Sequence, residues 1–161
     1  RQLLGKYDRL CILDGLTKSR AMAGLRLGYC LSDDRTLLAA MAEEGPPWPV
    51  SQLTQQAGIS ALQYAPDWPF RVRQQLEEER RYLSQELSRL RFHVYPSDSN
   101  FLLFQGEEGW RERLLDRGIL IRSCADFQGL GPGFYRVCVR SRGENKRLIQ
   151  AIQQEREAFH G

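Results

Sequence analysis

Three observations predict an α/β fold in which a sheet packs against helices. Apolar runs of strand length alternate with helix-like segments after residue 92. The 161 residues, 42% of them hydrophobic, are enough to bury the core of an ordinary domain. The breaker cluster GPPWPV (45–50) interrupts the chain and places a domain boundary there, giving 1–45 and 46–161.

Taken in order, RLCILDG (9–15) reads as a buried strand running into a turn. LRLGYCLS (25–32) reads as a second strand after a Met22–Ala23–Gly24 bend, which leaves LTKSRAM in a loop between strands. A helix is expected from Ser51 to about Leu62. APDWP (65–69) then breaks the chain ahead of a long charged helix from about Phe70 to Arg91. On that helix Val72, Leu76, Leu83, Leu87 and Leu90 recur at helical spacing, and Glu77, Glu78, Glu79, Arg80 and Arg81 read as a solvated face with local ion pairs. FHVYP and NFLLF (100–104) read as short strands, and WRERLLDRG (110–118) as a helix stopped by Gly118. ILIRS (119–123) and YRVCVR (135–140) read as two more strands. Ser141 and Glu144 fit a capping box ahead of a terminal helix carrying Leu148, Ile149 and Ile152.

The formal charge is +3 with acids and bases interspersed, so no nucleic-acid or membrane partner is implied. A basic RNA-binding module would interleave aromatics with its basic residues, and that pattern is absent. No apolar run approaches the roughly 18 residues of a membrane span. Cys11, Cys30, Cys124 and Cys138 stand singly without CxxC spacing, which points to reduced, buried thiols in a cytoplasmic protein, Cys124 and Cys138 serving as core or lining residues. His93 and His160 lack a metal partner at useful spacing. GLGPG (129–133) reads as a plain turn, and Trp48, between prolines, is expected to pack under the domain joint.

LTKSRAMAGLRLGY (16–29) is the stretch with chemistry in it. A lysine at the end of a buried strand is costly to keep charged, and a neutral amine attacks carbonyl carbons. Thr17, Ser19 and Gly24 leave room for a ligand beside Lys18, and Arg26, eight positions on, can clamp a phosphate. A lysine amine with a nearby phosphate clamp is what pyridoxal phosphate requires. In YRVCVR, alternation puts Arg136, Cys138 and Arg140 on one strand face and Val137 and Val139 on the other, so two arginines face one way as a receptor for anions.

The same stretch resembles the S-x-[ST]-K-x-x-x-[ILM]-x-G-[ILM]-R-[ILM]-G-[YF] signature of class I/II aminotransferases, fold-type I enzymes that depend on pyridoxal phosphate. The resemblance implies that Lys18 bonds the cofactor, that Arg26 holds its phosphate and that Thr17 assists. Gly15 stands where the signature has serine, removing one phosphate ligand. SNFLLF (99–104) and GILIRSCADFQGLGPGFYRVCVRSRGENKRLIQAI (118–152) resemble the small domain of the histidinol-phosphate aminotransferase group, and within it LIRSCADFQGLGPGFYRVCVR is most similar to the threonine-phosphate decarboxylases of cobalamin synthesis. By that resemblance Arg136 takes the substrate carboxylate, Arg140 serves a second anion such as a phosphate, and Asn100 is a further contact. Family members are considerably longer and resemble homodimers. With no initiating methionine and Lys18 so near the start, the chain reads as a piece of such an enzyme: 1–45 the last strands of a large cofactor domain, 46–161 the small C-terminal α/β domain.

Overall fold

The apolar run at the start folds as a two-stranded antiparallel ribbon: β1 (Cys11–Gly15) pairs with β2 (Gly28–Ser32), Gly15 opposite Gly28. The computed structural model describes residues 3–7 and 9–160, and the chain divides into two compact units, Arg1–Arg71 and Val72–Gly161. In the first unit the ribbon is not the buried strand pair expected: Cys11 and Leu13 are exposed, Leu13 at 73%. Two short turns replace the expected loop, the single-turn helix α1 (Leu16–Ser19) and a 3-10 turn at Ala23–Leu25.

Two helices follow. α2 (Arg35–Glu44), which sequence patterning did not pick out, is capped by the Asp34 carboxylate accepting the Leu37 N–H at 2.9 Å. α3 (Gln52–Gln63) is capped by Ser51, whose hydroxyl accepts the Thr54 N–H at 3.2 Å. Trp48 is 94% exposed and does not pack under a joint, because its backbone lies in the left-handed region (φ 56°) between two prolines. Leu16 is the one apolar side chain of this unit that is fully buried among the described residues.

The second unit carries the core. α4 (Trp68–Arg89) enters it from residue 72 and presents Leu83 and Leu87 to a four-stranded antiparallel sheet ordered β3 (His93–Val94), β4 (Phe101–Gln105), β6 (Phe134–Cys138), β5 (Arg122–Ser123). α5 (Trp110–Asp116) and α6 (Arg142–His160) join α4 on the same face. Alternation explains which side chains enter: Leu102 and Phe104 from β4, then Tyr135 and Val137 from β6 and Val139 beyond it, meet Trp110, Leu114, Leu148, Ile149 and Ile152 in one cluster. Each fully buried side chain of this kind contributes about 1.5–3 kcal/mol, so this unit holds most of the stability. The expected sheet-against-helices arrangement is found here, with ILIRS ordered as strand only at Arg122–Ser123.

Helix ends follow the local chemistry. α5 stops in a Schellman turn: Gly118 (φ +71°) donates to Leu115 O and Ile119 to Leu114 O, both at 2.8 Å. α4 ends likewise, but Arg91 takes the left-handed position (φ 58°) that glycine fills without a Cβ penalty. Replacing Arg91 by glycine is expected to stabilise the chain by about 0.5–1 kcal/mol, read as a rise in the urea midpoint at unchanged m-value. In the 129–133 turn Gly133 (φ +85°) lies where an added Cβ would stand 2.5 Å from Gly106 O, so no other residue fits the close approach between the two chain segments.

Candidate active site

The two groups of candidate residues lie in different compact units, Thr17, Lys18 and Arg26 in the first and Asn100, Arg136 and Arg140 in the second. In the first unit the ribbon brings Thr17, Lys18 and Arg26 to one end, because Leu16 N–H bonds Leu27 O at 3.0 Å directly beyond the Gly15–Gly28 pair. α3 props this end with small residues: the Thr54 hydroxyl reaches Leu25 O at 3.5 Å, and Gly58 lies so close that an added Cβ would stand 2.5 Å from Leu27 Cδ2. Trp68 Nε1 donates to Ser19 O at 3.0 Å and Arg20 donates to Ala65 O at 2.5 Å, so the residues flanking Lys18 are tied down. Lys18 itself is exposed on α1; it does not end a buried strand, and the desolvation expected for it is not supplied by this unit. Arg26 is exposed with a left-handed backbone (φ 52°), and among the described residues it makes no ion pair.

In the second unit the expected alternation holds: Tyr135, Val137 and Val139 are buried, whereas Arg136, Cys138 and Arg140 face the other way into a pocket of about 630 Å³. Arg136 lies with its guanidinium carbon 4.4 Å over the Phe101 ring, and among the described residues it has no carboxylate partner. A guanidinium braced on an aromatic face and left without a counter-charge is suited to receive an anion. Arg122, which sequence reasoning did not single out, stands directly opposite Arg136 in the β5–β6 register and lines the same pocket. The signal was available in IRSC as an arginine on a short strand, but register alone reveals that the two meet. Arg122 is paired with Asp126 at 2.5 Å, and Arg140 with Glu144 at 2.6 Å, so of these three among the pocket's five arginines Arg136 is the one without a carboxylate among the described residues.

Asn100 stands just before β4, its side chain exposed and its carbonyl accepting the Val139 N–H at 2.8 Å. The preceding turn is fixed by Ser97 and Ser99, whose hydroxyls bond Phe101 O at 2.6 and 3.3 Å. Cys124 is buried, and burial pushes its thiol pKa up although Arg136 and Arg122 pull the other way, so it is a packing residue and not a nucleophile. Of the four cysteines only Cys124 is buried, because the ribbon and the outer face of β6 hold the rest at the surface. Among the described residues no cluster of histidine, cysteine and acidic side chains could hold a metal ion, and no helix is long and apolar enough to cross a membrane.

The sequence matches the family Aminotransferase class I and II over residues 1–152. The chain belongs to the class I and II aminotransferases. It is 40% identical over 146 residues to a threonine-phosphate decarboxylase of Salmonella typhimurium, covering 88% of this chain and 40% of that protein. It is 33% identical over 158 residues to a histidinol-phosphate aminotransferase of Methanoculleus marisnigri, covering 95% of this chain and 43% of that one. A crystal structure of histidinol-phosphate aminotransferase from Sinorhizobium meliloti in complex with pyridoxal-5'-phosphate superimposes with a TM-score of 0.73 at 22% identity, covering 91% of this chain and 42% of that one. The chain thus spans about two fifths of the length of the proteins it matches.

For an aminotransferase-family chain the fit to pyridoxal phosphate can be judged from the donors present. The cofactor offers an aldehyde and a phosphate; Lys18 presents an exposed primary amine, and Arg26 an exposed guanidinium without an ion pair among the described residues, with the Thr17 hydroxyl near by. These suit the two ends. At Gly15 the backbone is extended (φ −153°, ψ 151°), and an added Cβ would stand 3.4 Å from Leu27 O and 3.9 Å from Thr17 Oγ1. Serine therefore fits without strain, and Gly15→Ser is expected to tighten pyridoxal phosphate binding by about 1 kcal/mol, the worth of one added hydrogen bond, measured by cofactor titration in an enzyme carrying this segment.

Proposed function

We propose that this chain is the C-terminal portion of a pyridoxal-phosphate enzyme acting on a phosphorylated amino acid, in the manner of threonine-phosphate decarboxylase. The observation that carries the reading is the arginine pocket of the second unit, with Arg136 lacking a carboxylate partner among the described residues and Arg122 facing it across the β5–β6 ladder. The 40% identity to the Salmonella decarboxylase supports this substrate class over others.

Bound pyridoxal phosphate would supply an electron sink that makes bonds at the substrate's α-carbon easier to break. This chain's residues do the rest. Lys18 holds the cofactor through its amine and serves as acid or base at the substrate's α-carbon. Arg26, with Thr17, holds the cofactor phosphate. Arg136 receives the substrate carboxylate, its plane set by Phe101, and so decides which α-carbon bond is presented for cleavage. Arg122 and Arg140, balanced by Asp126 and Glu144, serve a second anion when their partners yield. A cytoplasmic, homodimeric whole protein belongs to the same proposal.

A second reading, a histidinol-phosphate-type aminotransferase, is favoured by the 33% identity to the Methanoculleus protein. Catalytic inertness of the isolated chain is a third, favoured by the thin packing of the first unit, where Leu16 is the one buried apolar side chain among the described residues. Grafting residues 1–152 into the Salmonella decarboxylase in place of the matching segment separates them. Release of carbon dioxide from threonine phosphate supports the first reading; formation of glutamate from 2-oxoglutarate with histidinol phosphate as the amino donor supports the second. In the graft, Arg136→Ala is expected to lower kcat/KM by about two to three orders of magnitude, the cost of an unpaired substrate carboxylate, with the fold unchanged by circular dichroism.

A further inference from the structure

Of the four cysteines, two meet. In the β1–β2 ladder Cys11 is opposite Ser32 and Leu13 is opposite Cys30, so Cys11 and Cys30 are diagonal neighbours on one face of the ribbon. Their sulfurs are 3.3 Å apart, both thiols are free, Cys11 is exposed and Cys30 half-buried. Cys124 and Cys138 instead turn their sulfurs to the carbonyls of Arg122 and Val139. We propose that Cys11 and Cys30 form a built dithiol, a modification site that closes to a disulfide on reaction with a small-molecule disulfide such as oxidised glutathione.

The chemistry balances. The Cys11 thiolate attacks one sulfur of oxidised glutathione, forming a mixed disulfide and expelling one glutathione thiolate. Cys30 then loses its proton to solvent and attacks the Cys11 sulfur, expelling the second glutathione. The protein loses two hydrogens and two electrons, and one glutathione disulfide becomes two glutathione thiols. The order follows from the site: the contact with Cys11 and partial burial raise the Cys30 thiol above its ordinary value, leaving the exposed Cys11 to attack first. The ring that the bond closes, residues 11–30, contains both Lys18 and Arg26. Oxidation therefore narrows the motion of the whole candidate cofactor segment, a control that acts on the site without touching its residues.

The test uses the 161-residue chain, folded, with excess oxidised glutathione at neutral pH. The Cys11 and Cys30 thiols are expected to be lost together, with a single Cys11–Cys30 cross-linked peptide on mass mapping, no glutathione retained on either, and full recovery on reduction with dithiothreitol. In Cys30→Ser, glutathione is expected to remain on Cys11 as a stable adduct. Glutathione retained on Cys11 or Cys30 of the unaltered chain, four unreacted thiols, or a link involving Cys124 or Cys138 would each overturn the proposal. So would an equal yield of the Cys11–Cys30 link in urea, since the pairing would then owe nothing to the fold.

Discussion

Lys18→Ala is expected to lower turnover of the grafted enzyme by at least about a thousandfold, within the range that a positioned acid–base group contributes and larger where the same group holds the cofactor. The loss should come without unfolding. Lys18 is exposed on α1, and its carbonyl accepts the Ala21 N–H at 3.3 Å. Alanine is the better helix former and removes no packed atoms. Melting temperature should therefore hold while activity disappears, and added pyridoxal phosphate should no longer give an absorbance that borohydride traps on residue 18. Lys18→Arg keeps the charge but offers no free amine near neutral pH, so it should fail equally. Retention of more than about a tenth of the activity in either variant would exclude Lys18 as the reacting group.

Much of the second unit was legible because its elements obey simple periodicities. Leu83 and Leu87 on α4, and the alternation of Tyr135, Val137 and Val139 against Arg136, Cys138 and Arg140, follow directly from helical and strand repeats. So does the stop at Gly118. The first unit was less legible for a physical reason: its apolar residues are not covered. An apolar run such as CILDG reads as buried on composition, yet Leu13 and Cys11 are exposed because no described element packs over β1. α2 was missed because its Leu37, Leu38, Ala39, Ala40 and Ala42 favour helix by propensity and not by a periodic stripe.

The site was legible in part for a different reason. The Lys18–Arg26 spacing and the two arginines of YRVCVR are local features, and local features survive in sequence. What pairs across space does not. The Arg122–Arg136 juxtaposition depends on β5–β6 register, and the Cys11–Cys30 meeting on the β1–β2 register. Glu79 makes the same point: set in the run EEERR, it reads as one more solvated charge, but it is 8% exposed and bonded to residues more than 60 positions away.

Replacing Glu79 is the second large effect expected, and it falls on stability. Arg142 Nε donates to both carboxylate oxygens at 3.0 Å, Asn145 Nδ2 donates to Oε2 at 3.0 Å, and the Arg142 guanidinium rests 4.1 Å over the Tyr82 ring. Asn145, 2% exposed, spends its amide on the segment between β6 and α6: Nδ2 also donates to Arg140 O at 2.8 Å, and Oδ1 accepts the Arg140 N–H at 3.1 Å. The carboxylate thus holds the residue that holds the end of the arginine strand. Glu79→Ala leaves one of the two N–H groups of the buried Asn145 amide unmet and should cost about 3 kcal/mol, the lower end for a broken buried pair because Arg142 is 48% exposed and regains water. The pH dependence distinguishes charge from packing. Burial alone would raise the Glu79 pKa, but the hydrogen bonds from Arg142 and Asn145 outweigh it and hold the value below the ordinary one. A group depressed on folding stabilises above its unfolded pKa, about 4.3 for glutamate, and that stability is lost as pH falls through the folded value. Urea midpoints between pH 7 and about 2 should therefore fall less steeply at the acid end in Glu79→Gln, which keeps the shape and one acceptor but cannot titrate. An unchanged acid slope in Glu79→Gln would mean that the carboxylate's charge contributes nothing and that packing alone fixes the β6–α6 junction.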